Sequence, residues 1–314
     1  MTVPGEFGVV GLGRIGGGLA IQALAKGFRV AGYARKGPSD ELKRAGLVDA
    51  EKPDGFAEAL ARPRILLLYI PAGPGVDEVI DRLPLDPGDI VIDGGNSYWG
   101  DSIRRHRSLA ERGIHFIDAG TSGGIKGART GACFMVGGDA GPVARVEPIL
   151  RALAVDRGFV HAGGPCAGHF TKLVHNGIEF GMLQAIAEGV DLLHRFQTPL
   201  RIGEVLDAWR HGSVIRSWLV DLMAQGYRRE GGLERIPSFV EDTGEVNWLI
   251  SDALRMEVPI PVIMQSVAQL IASRDSERLS ARAIELMRHG FGGHPYGPDA
   301  SIARERHEGK VRRP

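Results

Sequence analysis

The sequence has few cysteines, no long apolar run and no excess charge of either sign. Its 314 residues include two cysteines, Cys133 and Cys166, which form neither a CxxC motif nor any spacing typical of a metal site. The 38 basic and 38 acidic residues cancel, which argues against nucleic acid or a membrane surface as a partner. No stretch of about 18 apolar residues occurs, and no signal-peptide pattern opens the chain. We therefore expect a cytoplasmic protein with two inert thiols, no metal and no membrane contact.

Glycine, by contrast, is abundant. It accounts for 45 of the 314 residues, about twice its usual share, which indicates many tight turns or close backbone approaches. The length suggests about two domains, and the two halves of the chain differ in pattern. Apolar runs that predict strands alternate with predicted helices in the first half, whereas the second half keeps only helical patterns.

The first half predicts an α/β fold, a Rossmann-type doubly wound and mostly parallel sheet, in a domain spanning residues 1–164. Strands are predicted at residues 7–10, 28–33, 64–70, 89–92, 114–118, 133–136 and 155–160. A helix is predicted after the first strand, to about residue 26, and further helices near residues 54–61, 74–83, 99–112 and 139–153. The second half predicts an all-α domain over residues 165–314, in which the first helix is long. Helices are predicted there at residues 168–195, 201–210, 213–225, 246–256, 259–273 and 276–289, with a loop at residues 238–244.

The turn after the first predicted strand carries a glycine motif, Gly11-Leu12-Gly13-Arg14-Ile15-Gly16. This GxGxxG follows a strand and opens a helix inside a βαβ unit, which is the setting that a dinucleotide site requires. The first two glycines allow the tight turn and the approach of a pyrophosphate, the third lets helix and strand pack, and the helix N-terminus faces the phosphates. Although a plain glycine turn is the alternative, we predict that a dinucleotide binds at Gly11, Gly13, Arg14, Ile15 and Gly16.

The end of the second predicted strand indicates which dinucleotide binds. A site for NAD usually has an acid about 20 residues after the glycines, which holds the ribose 2′-hydroxyl. Here Arg35 and Lys36 follow the strand instead, and these two cations suit a 2′-phosphate. We predict NADP as the cofactor. Ordinary loop cations and dual use of NAD and NADP are the alternatives.

The chemistry is predicted on the long helix, within the segment Gly168–Glu179. Lys172, His175, Asn176 and Glu179 stand at positions i, i+3, i+4 and i+7, so they share one face of the helix. Apolar residues recur at every helical angle, which is typical of a buried helix. A solvated polar stripe or a structural contact between Lys172 and Glu179 is the alternative. A desolvated lysine has a lowered pKa and can act as a base near neutral pH, and a carboxyl two turns away could serve as a second proton donor.

Two polar, glycine-rich loops are predicted at the carboxyl ends of neighbouring strands. They have the sequences DGGNS, over residues 93–97, and DAGTSGG, over residues 118–124. Ligands of open α/β sheets bind beyond this edge. Backbone N–H groups and small hydroxyls in such loops could hold a carboxylate, although each loop alone could equally be a plain turn.

At this point the residues carry a resemblance to a known family. The segments GLGRIGGGLA, IDGGNSYWGDSIRR, DAGTSGGIKGARTG, GHFTKLVHNGIEFG, WRHGSVIRS and MRHGFGGH resemble those of decarboxylating 6-phosphogluconate dehydrogenases, within the β-hydroxyacid dehydrogenase superfamily. They span nearly the whole chain. The run HNGIE after Lys172 is specific to this family, and the short length resembles the compact bacterial form with a reduced helical domain.

The resemblance implies a reaction and a role for each matching residue. The enzyme would oxidise and decarboxylate 6-phospho-D-gluconate to ribulose 5-phosphate, a step of the pentose phosphate pathway. Lys172 would take the proton of the 3-hydroxyl and then stabilise the enolate, and Glu179 would protonate carbon 1 of the enol. No metal would be needed, because the lysine ammonium would act in its place. The sugar acid would be held by Asn96, Ser122, Gly123, Gly124, His175 and Asn176, with Asn96 also touching the cofactor.

The chain departs from the family where the phosphate of the substrate should bind. The family's phosphate-binding tyrosine is replaced by Phe180, and the segment that should carry its phosphate-binding lysine reads VEDTG, residues 240–244. Arg288 and His294 match a C-terminal pair that the partner subunit usually supplies, and Arg274 or Arg278 could assist. The resemblance thus implies a homodimer or homotetramer.

Two other functions are compatible with the same residues. One is a β-hydroxyacid dehydrogenase that acts on a small unphosphorylated hydroxy acid, which predicts no role for Arg288. The other is a non-catalytic NADP-binding sensor, which predicts tight cofactor binding without turnover and a function that survives the loss of Lys172.

Overall fold

The computed structural model describes residues 5–300, 303, 304 and 306. Its first half contains the strands β1 (Glu6–Val10), β2 (Arg29–Tyr33), β3 (Val48–Asp49), β4 (Ile65–Leu68), β5 (Ile90–Asp93), β6 (His115–Ser122), β7 (Ala132–Gly137) and β8 (Ala154–Gly163). They form one sheet in the order β3-β2-β1-β4-β5-β6-β7-β8. Neighbouring strands are parallel except β6 and β7. The predicted doubly wound, mostly parallel sheet is confirmed.

Helices connect the strands, and the buried apolar residues of this half form two separate clusters. The helices are α1 (Gly16–Ala25), α2 (Asp40–Arg44), α3 (Phe56–Ala59), α4 (Pro74–Arg82), α5 (Trp99–Ala110), α6 (Gly124–Thr130) and α7 (Ala140–Leu153), with a 3-10 turn at Pro53–Gly55. Because successive side chains of a strand point to opposite faces, Leu67 packs in one cluster with Leu19 of α1, whereas Leu66 and Leu68 pack in the other with Phe56. The short elements α2, α6 and β3 were not predicted, since each has too few residues to show a period.

Strand β6 is longer than the sequence predicts. The residues after Asp118 were expected to form a glycine-rich loop, but the strand continues to Ser122. Its extension pairs antiparallel with β7, with Asp118 opposite Gly137 and Ser122 opposite Cys133. The hydrogen bonds of this partner strand, which lies further along the chain, stabilise an extended backbone that the local sequence does not favour. The prediction of a loop over residues 118–122 was therefore wrong.

The second half is helical, as predicted. Its helices are α8 (Ala167–His194), α9 (Ile202–Gly212), α10 (Trp218–Glu230), α11 (Glu245–Arg255), α12 (Pro261–Arg274) and α13 (Leu279–Gly292). Helix α10 begins five residues later than predicted, because the Ser217 hydroxyl caps it by accepting a hydrogen bond from the Val220 N–H at 3.2 Å. The domain division at residue 164 stays a prediction, and residues 1–4, 301, 302, 305 and 307–314 of the two predicted domains lie outside the described residues.

Helix α8 is buried on one side only, which corrects the expectation of burial all round. Its N-terminal residues pack against β6 and β7, and its middle packs against α11 and α12. Within the described part of the chain nothing covers the opposite side, where Ile178 is 54% and Leu183 is 44% exposed. None of the helices described combines the length and the apolarity that a membrane span requires.

Candidate active site

A cleft of about 1240 Å³ is lined both by the carboxyl end of the sheet and by the helical half. The turn between β1 and α1 and the segments after β4, β5 and β6 line it on one side, and α8, α10 and α11 line it on the other. Pockets for a single small ligand measure roughly 300–1,000 Å³. The cleft is therefore larger than a pocket for one small ligand usually is.

The three glycines of the GxGxxG turn have different surroundings. Gly11 has φ +92°, and a Cβ there would lie 2.2 Å from the Tyr69 carbonyl oxygen. A Cβ on Gly16 would lie 2.1 Å from the Gly11 carbonyl oxygen, whereas nothing lies within 4 Å of a Cβ on Gly13. Gly11 and Gly16 thus permit close packing beneath the turn, and Gly13 leaves open space beside the cleft. Ile15, at the N-cap position of α1, has no hydrogen-bonding side chain, and the Gly17 N–H donates to the Gly13 carbonyl oxygen at 2.8 Å. The Gly16 N–H, at the first position of the helix, can therefore meet a pyrophosphate.

Arg35 and Lys36 lie just beyond the carboxyl end of β2 and are exposed. They do not line the cleft, and no ion pair involving either occurs within the described residues. Glu41 of the following helix is engaged by Arg129 through two hydrogen bonds of 2.7 Å each. The two cations therefore remain available to a 2′-phosphate at the edge of the nucleotide site.

Lys172 is placed by the packing of α8 on β6. The buried Asp118 carboxylate, at the N-terminus of α8, accepts hydrogen bonds from the backbone N–H groups of Cys166 at 2.8 Å and His169 at 2.7 Å. Helix and strand approach so closely that a Cβ on Gly120 would lie 2.4 Å from the Lys172 Cβ. Lys172 is only 8% exposed as a result, although it lines the cleft.

The four polar residues predicted on one face of α8 are brought together, and His175 is at their centre. The His175 Nδ1 atom lies 3.3 Å from Lys172 Nζ, 3.2 Å from Asn176 Oδ1 and 3.8 Å from Glu179 Oε2. Its Nε2 atom lies 3.1 Å from the Ser122 hydroxyl. The imidazole therefore connects the end of β6 with the polar face of the helix.

Burial shifts the pKa values of Lys172 and His175. Burial lowers the pKa of the Lys172 ammonium below its usual value, while the negative charges of Glu179 and Glu245 oppose the shift. Burial and the neighbouring Lys172 charge also lower the pKa of His175, against the Asn176 hydrogen bond and the Glu179 charge. Both effects favour the neutral forms, so Lys172 is suited to accept a proton and His175 to act as an uncharged hydrogen-bonding group.

The loop after β5 presents Asn96 to the cleft. The buried Asp93 carboxylate accepts hydrogen bonds from the Ser97 hydroxyl at 2.7 Å and from the Gly95 N–H at 3.1 Å, and Arg105 lies 3.3 Å away. These contacts hold the loop from below, while Asn96 at its tip is exposed and lines the cleft. Ser122, Gly123 and Gly124 line the cleft from the end of β6.

Tyr69 and Glu245 line the cleft but were not found from the sequence. The Tyr69 hydroxyl lies 3.1 Å from the Thr121 hydroxyl, and burial raises the pKa of this phenol. The Glu245 carboxylate accepts a hydrogen bond from Asn176 Nδ2 at 3.4 Å and another from the Thr243 hydroxyl. Neither residue belongs to a motif, and the contacts of Tyr69 with Thr121 and of Glu245 with Asn176 span 52 and 69 residues of the chain, so the sequence offers no local signal for them.

Arg288 and His294 do not line the cleft of this chain. Arg288 is exposed on α13, and His294 follows the end of that helix. Arg274 is engaged elsewhere, since it donates to the Val240 carbonyl oxygen at 2.8 Å and lies 3.6 Å from the Asp242 carboxylate. Phe180 lines the cleft. The use of Arg288 and His294 by a second copy of the chain stays a prediction.

Comparisons with known proteins agree with this geometry. A model of the NAD-binding domain of 6-phosphogluconate dehydrogenase matches residues 6–163, and a model of the C-terminal domain of 6-phosphogluconate dehydrogenase matches residues 168–289. The chain is 36% identical over 296 residues to an NAD(+)-dependent, decarboxylating 6-phosphogluconate dehydrogenase of Haloferax volcanii, and the match covers 92% of this chain and 97% of that protein.

Solved structures give the same result at the level of the fold. The Plasmodium falciparum 6-phosphogluconate dehydrogenase, described in complexes with NADP+ and with 6-phosphogluconate, superposes with a TM-score of 0.78 at 26% identity, covering 94% of this chain and 66% of that one. A 3-hydroxyisobutyrate dehydrogenase of Mycobacterium tuberculosis superposes with a TM-score of 0.69 at 19% identity, covering 86% of this chain and 94% of that one, which shows a shared fold alone. The predicted enzyme class and the predicted type of cofactor, NAD or NADP, are confirmed. The chain belongs to the 6-phosphogluconate dehydrogenase family, and it is a pyridine-nucleotide-dependent oxidoreductase.

Proposed function

We propose that this enzyme catalyses the NADP-dependent oxidative decarboxylation of 6-phospho-D-gluconate to ribulose 5-phosphate and carbon dioxide, a step of the pentose phosphate pathway. The observation that carries the proposal is the buried Lys172 with Glu179 two turns further along α8, in the same cleft as the GxGxxG turn. One group can accept a proton and the other can donate one, beside a site for a hydride acceptor.

The chain fits the cofactor at both ends of the nucleotide site. The open space at Gly13 and the uncapped first turn of α1 suit the pyrophosphate. Arg35 and Lys36 suit the 2′-phosphate of NADP, and Asn96 would contact the cofactor from the loop after β5. When bound, the nicotinamide supplies the acceptor for the hydride that leaves carbon 3 of the substrate. The preference for NADP over NAD is part of the proposal and rests on the two cations.

Lys172 acts on the 3-hydroxyl of the sugar acid. Its neutral amine takes the hydroxyl proton as carbon 3 becomes a ketone, and burial favours that neutral form before the reaction. The ammonium that results then faces the ketone oxygen. When the bond between carbons 1 and 2 breaks, carbon dioxide leaves and the electron pair moves into an enolate whose oxygen this ammonium stabilises.

Glu179 completes the reaction as the acid. Its carboxyl would protonate the carbon of the enol that has lost carbon dioxide, which becomes carbon 1 of the product. The Glu179 carboxylate lies 3.8 Å from His175, and Ser122 and Asn176 contact the same imidazole. We propose that Ser122, Gly123, Gly124, His175 and Asn176 hold the hydroxyl and carboxylate groups of the substrate, together with Asn96.

The phosphate of the substrate requires a second copy of the chain in this proposal. Within the described chain, the lysine and arginine side chains that line the cleft are those of Lys172 and Arg14. Neither residue belongs to α10 or α11. Arg288 and His294 of a neighbouring copy would supply the missing positive charge, in a homodimer or homotetramer. The cytoplasmic location likewise stays a prediction.

The small number of lysine and arginine residues in the cleft also favours a second candidate function. A dehydrogenase for a small unphosphorylated hydroxy acid would use Lys172 in the same way and would need no phosphate site. A sensor without turnover has less support, because it gives no reason to bury a lysine beside the cleft.

The test is steady-state reduction of NADP and of NAD with 6-phosphogluconate and, separately, with gluconate, while released carbon dioxide is trapped. We expect turnover with 6-phosphogluconate, one carbon dioxide per reduced cofactor, and a lower KM for NADP than for NAD. The Lys172→Met enzyme serves as the control, since it should bind NADPH normally but show no turnover. Turnover with the unphosphorylated acid alone, without carbon dioxide, would overturn the proposed substrate and favour the second candidate.

A further inference from the structure

Glu245 is a carboxylate of the cleft that the proposed reaction does not use. It is the first residue of α11 and lines the cleft between that helix and α8. One carboxylate oxygen accepts a hydrogen bond from Asn176 Nδ2 at 3.4 Å, and the other accepts one from the Thr243 hydroxyl. Its charge also acts on Lys172. The side chain is therefore held between two polar residues of the cleft and close to the proposed base.

The loop before Glu245 is held in place by contacts of its own. The Asp242 carboxylate accepts a hydrogen bond from the Gly244 N–H at 3.0 Å and lies 3.6 Å from the Arg274 guanidinium. Arg274 also donates to the Val240 carbonyl oxygen at 2.8 Å. These contacts hold the Arg274 guanidinium against the loop. Arg274 therefore does not line the cleft and does not neutralise Glu245.

Beside α8, which carries Lys172 and Glu179, the helical side of the cleft has a second part, here named the helical wall, which α10, α11 and the residues just before these helices form. Its lining residues are Ser217, Trp218, Leu219, Leu222, Thr243 and Glu245. Glu245 is the charged member of this set, so the wall carries one negative charge and several apolar or hydroxyl groups. A carboxylate accepts hydrogen bonds from hydroxyl groups, whereas it repels a phosphate.

We propose that Glu245 is a specificity-determining residue, whose carboxylate accepts hydrogen bonds from hydroxyl groups of the sugar acid chain and disfavours a second anionic group at the helical wall. The inference rests on the proposed function, because it assumes a sugar acid in this cleft. A substrate phosphate is then bound against the charge of Glu245, and it depends on cations from outside this wall.

The experiment compares 6-phosphogluconate with gluconate in the wild-type enzyme and in Glu245→Gln, with kcat/KM measured for both acids at one pH and at saturating NADP. The amide keeps the shape of the side chain and removes its charge. We expect the ratio of kcat/KM for 6-phosphogluconate over gluconate to rise about tenfold, because repulsion of the phosphate is relieved and a strong acceptor for hydroxyl groups is lost. Any effect of the substitution on Lys172 is shared by both acids and cancels in the ratio.

Glu241→Gln is the matched control. Glu241 lies four residues away, is exposed and does not line the cleft, so the same chemical change there should leave the ratio unchanged. A ratio in Glu245→Gln that equals the wild-type ratio would overturn the inference, and so would an equal rise in both variants.

Failure of the proposed function can be told apart from failure of this inference. If neither acid supports cofactor reduction in the wild-type enzyme, the proposed reaction fails. The dissociation constants of 6-phosphogluconate and of gluconate are then measured by calorimetry on the NADPH-loaded protein. The same rise in the preference for the phosphorylated acid is expected in Glu245→Gln, and its absence overturns the inference.

Discussion

Replacement of Gly120 by alanine should displace the proposed base without changing any polar group. Gly120 lies in β6, and its φ is not positive, so alanine can adopt its backbone conformation. The new methyl carbon, however, would lie 2.4 Å from the Lys172 Cβ, 3.1 Å from its Cγ and 2.9 Å from the Gly168 carbonyl oxygen. Carbon atoms in contact are about 3.5–4.0 Å apart. Lys172 and β6 must therefore separate by roughly 1 Å.

The size of the effect follows from that displacement. A shift of about 1 Å in a catalytic group can lower the rate about 100-fold, so we expect kcat/KM of Gly120→Ala to fall by about that factor. Overpacking of a core typically costs about 1–3 kcal/mol of unfolding free energy. The variant should thus still fold, at a lower urea midpoint. Kinetics are followed by the absorbance of the reduced cofactor, and folding by circular dichroism.

Gly8→Ala is the matched control for overpacking in the same sheet. A Cβ there would lie 2.5 Å from the Leu66 Cδ2 atom and 2.8 Å from the Phe56 Cε1 atom, in the apolar core. We expect a similar loss of stability with nearly unchanged kcat/KM. A folded Gly120→Ala enzyme with wild-type kcat/KM would refute the argument that β6 sets the position of the base.

Three further predictions concern the proposed catalytic and substrate-binding residues. Glu179→Gln should slow the last proton transfer, so a keto or enol intermediate should accumulate in quenched single-turnover samples; unchanged turnover would count against Glu179 as the acid. Arg288→Ala should raise the KM for 6-phosphogluconate at least about tenfold, since a charge-assisted contact contributes roughly 1.5–3 kcal/mol, while KM for gluconate stays constant; an unaltered KM for 6-phosphogluconate would remove Arg288 from the site. Because burial lowers the pKa of Lys172, the folded state binds fewer protons than the unfolded chain between the lowered pKa and the usual one, so stability rises with pH across that window. Lys172→Met should abolish this part of the pH dependence and raise the urea midpoint at neutral pH, and a midpoint equal to that of the wild type would contradict the lowered pKa.

Much of the fold and of the candidate site could be predicted from local sequence patterns. The GxGxxG turn follows from six consecutive residues, and its three glycines have different surroundings in the structure. The polar face of α8 follows from the helical period alone. The alternation of strands and helices was enough for the fold class, because parallel strands that are buried on both faces are nearly continuous apolar runs.

The predictions that the structure corrected have other causes. The extension of β6 depends on pairing with β7, and the later start of α10 depends on the Ser217 cap. The exposed side of α8 could not be foreseen either, because an apolar residue meets a neighbour only if the chain brings one there. Ile178 has the composition of a buried residue and is nevertheless 54% exposed.

The sequence by itself determined the fold class, the nucleotide turn and the polar face that carries Lys172 and Glu179, because each depends on residues that are close together in the chain. Only the tertiary structure decided what surrounds that face. It buried Lys172 against Gly120, joined His175 to Ser122, and brought Glu245 to Asn176 across 69 residues. Contacts between distant segments set the ionisation and the charge of the cleft, and they form only when the sheet and the helices pack together.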